Sequence, residues 1–73
     1  DPEIRRLLTD AYLKMGDLPA AEAEARALVA ASPTDTAAVR RLADILSWEA
    51  GKSKDPRKFA ESLKLFRELA TLN

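Results

Sequence analysis

Two charged pairs and one tryptophan hold most of the recognition chemistry open to this chain. Arg6 and Asp10 recur 34 residues later as Arg40 and Asp44, with Leu8 echoed by Leu42, and Trp48 follows Asp44 by four residues. An arginine and an aspartate four apart share a helix face, where they form an ordinary ion pair worth a few tenths of a kcal/mol or present both signs of charge to a partner. Catalytic chemistry has less to draw on. The 73 residues include no cysteine or histidine, which removes disulfides, thiolate and imidazole metal sites, and nucleophilic catalysis that depends on either residue. Glu22 and Glu24 stand two apart and point away from each other on a helix, unsuited to shared acid–base work. Ser53 beside Lys54 needs burial to depress the lysine, yet the pair reads as exposed loop. No phosphate-cradling, zinc-protease or nucleophile-elbow motif occurs. The expectation is a chain without enzymatic activity, cofactor or metal.

Twelve basic residues balance twelve acidic ones, which gives no reason to expect a nucleic-acid partner or an anionic membrane surface. The local cluster Lys52, Lys54, Arg57 and Lys58 lacks interleaved aromatics and a glycine-rich cradle, so it reads as solvated loop rather than phosphate site. No apolar run approaches the roughly 20 residues that a membrane-spanning helix needs. The opening Asp1-Pro2-Glu3 suggests a segment of a longer chain. It leaves the compartment open, bacterial periplasm and cytoplasm alike.

Four helices must position these groups. Ile4, Leu7, Leu8, Ala11, Tyr12 and Met15 recur at threes and fours and predict a helix from Pro2 to Met15, capped by Asp1 and stopped by Gly16. A second helix starts near Leu18-Pro19 and ends at Ser32-Pro33, where proline lacks a donor and pushes Ser32 out of the helical region. A third begins near Thr34 or Asp35, carries Val39, Leu42, Ala43, Ile45 and Leu46, and is expected to stop before Gly51, with Lys52-Ser53-Lys54 as linker. The fourth opens at Asp55-Pro56, repeating the chemistry of Asp1-Pro2, and runs through Phe59, Leu63, Phe66, Leu69 and Leu72. No segment alternates as a strand does. The prediction is all-α: tandem antiparallel helix pairs of a solenoid, repeat one at 2–35 and repeat two at 36–73.

Tyr12, Gly16, Ala21, Leu28 and Pro33 resemble the tetratricopeptide repeat, whose 34-residue frame places an aromatic late in its first helix, a glycine at the turn, small residues at the closest helix approach and a proline at the end. Arg5 and Ala25 depart from it, standing where the family favours large apolar residues. By this frame Thr9 and Ala21 meet at the closest approach, where a bulky side chain would cost about 1–3 kcal/mol, and Leu8 and Leu28 flank them in the core. Repeat two keeps the frame through Leu46. Then Phe59, Ser62, Phe66 and Leu69 follow Leu18, Ala21, Ala25 and Leu28 by 41 residues, so seven have been added around 52–56, lengthening the first helix or its turn.

The resemblance implies a non-catalytic scaffold that binds a protein or peptide on a concave wall built from the first helix of each pair. That wall would present Glu3, Arg6, Asp10, Leu13 and Lys14 from repeat one, and Ala37, Arg40, Asp44, Ser47 and Trp48 from repeat two. A carboxylate clamp of the chaperone-tail type is disfavoured, because Asp10 and Asp44 stand where such clamps carry asparagine and would repel the ligand. Trp48 could anchor a partner or pack on the added segment or on a further repeat. The alternative is a structural or self-associating segment, since two repeats leave apolar end faces. The string Leu42 to Trp48 also resembles the repeat arrays of bacterial exopolysaccharide exporters.

Overall fold

The computed structural model describes residues 1–72, and every element among them is helical: α1 (Pro2–Met15), α2 (Leu18–Ala31), α3 (Thr36–Ser53) and α4 (Pro56–Leu72). Asn73, the last residue of the second repeat as read from the sequence, lies outside the described residues. Helix starts follow from side-chain acceptors placed against free amides. Asp1 accepts from the Glu3 amide at 3.0 Å, Asp17 from Ala20 at 3.2 Å, Asp35 from Ala37 at 3.1 Å and Asp55 from Arg57 at 2.9 Å. Each such cap is worth about 1 kcal/mol. At the end of α1, Gly16 takes φ 78° and its amide donates to the Leu13 carbonyl at 3.1 Å, while the Asp17 amide reaches Tyr12 at 2.9 Å. Space is no obstacle to a side chain at Gly16, so the backbone angle alone selects glycine there.

Each helix packs on its successor, and the core lies in the middle of the stack. Ala21 and Ala25 of α2 meet a seam of Val39, Leu42, Ala43, Ile45 and Leu46 from α3, with Leu65 closing it from α4. Burying each large aliphatic side chain stabilises the fold by about 1.5–3 kcal/mol. The close approaches fall where the frame puts them. Thr9 and Ala21 are both fully buried, with the Thr9 hydroxyl donating back to the Arg5 carbonyl at 2.7 Å. In the second pair the hydroxyl changes sides: Ser62, in the place of Ala21, donates to the carbonyl of Ala43, in the place of Thr9, at 3.0 Å. Leu28 is buried as expected, but Leu8 is 40% exposed. Among the described residues only α2 packs on α1, and the molecule is a slab of 32 × 32 × 15 Å whose outer helices have one open face.

Of the two places expected for the added residues in the second pair, the first helix or its turn, the structure lengthens the helix and leaves the turn short. Both pairs turn on two residues, Gly16-Asp17 and Lys54-Asp55. The seven added residues lie in the helices, four extending α3 from Ala50 to Ser53 and three, Pro56 to Lys58, starting α4 early. Gly51 therefore lies inside α3 instead of ending it. Glycine in a helix costs roughly 1 kcal/mol relative to alanine, which the flanking turn absorbs: Ala50 is buried and the Ser53 hydroxyl donates to the Glu49 carbonyl at 2.8 Å. The true stop is Lys54, in the left-handed region at φ 55°, just before the Asp55-Pro56 boundary.

Candidate docking groove between α1 and α3

A groove of about 380 Å³ runs between α1 and α3, lined by Asp10, Leu13, Ala37, Arg40, Arg41, Asp44 and Trp48. Helical periodicity puts Asp10 with Leu13 on one wall and Arg40, Asp44 and Trp48 at intervals of four on the other. Of the residues named from the sequence, Asp10, Leu13, Ala37, Arg40, Asp44 and Trp48 come together here. Lys14 borders a neighbouring depression with Leu7 and Ala11, and Arg6 borders a cleft with Asp1, Pro2, Leu28 and Asp35. Ser47 is half-buried and does not line the groove.

The expected pairings along each helix do not form. Arg6 donates instead to Asp35 at 3.2 Å, and Asp10 accepts from Arg41 at 2.8 Å. The first ties α1 to the cap of α3, and the second ties repeat one to repeat two. Asp35 serves two purposes, since its carboxylate also caps α3; the Ala38 amide foremost, with Arg6 and the Ala37 amide, holds its pKa below the usual carboxylate range against some desolvation. Arg40 and Asp44 have no ion pair among the described residues. Trp48 is 53% exposed and borders the open groove. Arg41 is the groove residue that the sequence did not single out. It occupies the frame position of Leu7, an outward apolar site in repeat one, and only the replacement of that leucine by arginine hints at a cross-repeat role.

A second ionic cluster joins α2, α3 and α4 at the other side of the shared seam. Arg26 donates through Nη1 and Nη2 to Glu61 at 2.7 and 2.8 Å and through Nε to Glu22 at 2.7 Å. Lys58 donates to Glu22 at 2.7 Å and stands 3.5 Å from Glu49, whose Oε1 is buried without a hydrogen-bond partner. Burial, followed by the adjoining Glu22, pushes the Glu49 carboxyl up to about 7, with Lys58 opposing. Burial acts the same way on Glu22, but hydrogen bonds with Glu49, Lys58 and Arg26 override it and hold that group near 2. Lys58, read as solvated loop, is thus structural, whereas Lys52, Lys54 and Arg57 are exposed.

The tetratricopeptide repeat family model matches residues 2–45, well over half of the chain. The chain belongs to the tetratricopeptide repeat family. Repeats of this family generally mediate protein–protein interaction and are typically non-catalytic scaffolds. Comparisons with curated proteins and with solved structures returned no match. The comparisons do not show the resemblance to bacterial exopolysaccharide exporters expected from Leu42 to Trp48. No helix among the described residues is long and apolar enough to cross a membrane.

Proposed function

We propose that this tetratricopeptide segment binds an extended protein segment in the α1–α3 groove, and that the bound segment carries a basic side chain. The observation that supports this is the placement of Asp44 with Trp48 one turn later: the carboxylate has no ion partner among the described residues and the indole is half exposed on the same wall. A lysine or arginine laid along that wall meets a carboxylate and an aromatic face together, while its aliphatic stem covers Leu13. Arg6 and Arg41, engaged with Asp35 and Asp10, hold the two walls apart at a fixed spacing and serve the groove as braces.

Trp48 is the sole indole, so its fluorescence reports occupancy directly. Titration with extended peptides containing lysine or arginine should shift the emission saturably, and analogues with norleucine or citrulline at that position should bind at least tenfold more weakly. Asp44→Lys should lose the preference while leaving the helical circular dichroism intact. Equal binding of the charged and neutral peptides would refute the reading. A second reading, a structural segment that associates with other copies, is favoured by the apolar side chains left open on α1 and α4.

A further inference from the structure

The 34-residue frame makes the two ends of the molecule comparable with its middle. Ala38, Leu42, Ile45 and Glu49 of α3 are all buried where α2 covers them. Their counterparts 34 residues earlier are Ile4, Leu8, Ala11 and Met15 of α1, all exposed, Met15 to 74%. The same holds at the other end. Leu18, Glu22 and Ala25 of α2 lie against α3, and their counterparts 41 residues later are Phe59, Leu63 and Phe66 of α4, which are open to solvent. One end of the molecule thus repeats the covered face of α3 and the other repeats the face of α2 that covers it.

The differences between the copies are matched. Where the internal seam sets the carboxyls of Glu22 and Glu49 against each other, the end faces offer Leu63 and Met15, an apolar pair without the desolvation cost. Bulk moves across as well: Phe66 replaces Ala25 on one side while Ala11 replaces Ile45 on the other. Charge agrees with this. Arg6 pairs with Asp35, the cap of the following first helix; Arg40, its counterpart, has no ion pair among the described residues, and the counterpart of Asp35 is Asp1, the cap of α1.

We infer that a second copy of this chain docks by its α1 face on the α4 face of the first, in the register by which α3 packs on α2, with Asp1 of one copy meeting Arg40 of the other. The inference deepens the assembly reading and is independent of peptide capture in the groove. Such a contact is heterologous: each copy retains one free α1 face and one free α4 face, so association continues beyond the dimer.

Sedimentation velocity of the chain over a concentration series, with two face variants, tests this. Ile4→Glu with Met15→Glu blocks α1, and Phe59→Glu with Leu63→Glu blocks α4; all four positions are 44–74% exposed, and helical circular dichroism confirms that each variant folds. The unaltered chain should grow past the dimer as concentration rises. Each variant alone should be monomeric, and an equimolar mixture should form a dimer and stop there. A chain that stays monomeric throughout would overturn the assembly reading itself. If the α4-blocked or α1-blocked variant dimerised alone, association would be face-to-same-face, and the head-to-tail register would be wrong while assembly survived.

Discussion

The two ionic clusters of this molecule use the same residue types to different ends. In the groove, Arg41 and Asp10 meet at 2.8 Å with their side chains 33% and 51% exposed, where water screens the contact. At the α2–α3–α4 junction, Glu22, Glu49 and Glu61 face Arg26 and Lys58, an excess of one negative charge in a place where Glu49 is almost wholly enclosed. Burial, then, decides what a charge does here. Exposed, it is a weak brace that a partner can displace; enclosed, it must find a countercharge or keep its proton.

Changing the pH should break this comparison most sharply. With its pKa raised from 4.5 to about 7, Glu49 holds a proton in the folded state that the unfolded chain has already lost. Stability should therefore fall as pH rises from about 4.5 to 7 and stay lowered above it, by at most on the order of 3 kcal/mol. Glu22, held near 2, acts oppositely: its contribution is present above about 4.5 and is lost as pH falls toward 2. Urea midpoints across pH 3 to 9 should show a maximum near pH 5. Glu49→Gln keeps a donor for Glu22 and removes the titration, so it should flatten the alkaline limb and stabilise the chain at pH 8. A variant that kept the slope would place the proton elsewhere.

Replacing Lys58 by methionine sharpens the same point at a smaller scale. Lys58 is raised in pKa first by its hydrogen bond with Glu22, and among the described residues it is the one cation that touches both Glu22 and Glu49. Its loss leaves two carboxyls enclosed together, which should cost about 2 kcal/mol at pH 8 by denaturant titration. At pH 5, where Glu49 is protonated, the loss should be roughly half as large. An equal loss at both pH values would mean that Lys58 contributes by packing alone.

What was legible in the sequence was local chemistry and the interval that repeats it. Asp1-Pro2 and Asp55-Pro56 announce helix starts because cap and fixed φ act within one turn, and Thr9 with Ala21 marks a close approach because only small residues fit there. Gly51 misled because glycine only prefers the end of a helix, whereas the proline at Pro56 compels one nearby. The ion pairs were misread for a related reason. Spacing of four assigns Arg6 to Asp10, but their actual partners, Asp35 and Arg41, lie 29 and 31 residues away across the stack. Glu49 carried no local signal at all: it occupies the frame position of Met15, and only the arrival of α2 makes it buried.

The exposed contact across the groove gives the finest test of the comparison. Arg41 reaches from α3 to Asp10 at 2.8 Å and to the Arg6 carbonyl at 3.5 Å, spanning the groove where water screens it. Arg41→Ala should then lower stability by about 0.5 kcal/mol at low salt, and by less at high ionic strength, as for exposed ion pairs in general. Its effect on the groove should be larger than its effect on the fold. Without the guanidinium, the walls lose their crosspiece and Asp10 becomes a second free carboxylate beside Asp44. Binding of a basic peptide, read by Trp48 emission, should strengthen at low salt and lose that gain at high salt. A loss of several kcal/mol on unfolding would mean that Arg41 is a junction residue like Lys58, and that the groove and the junction differ in place but not in kind.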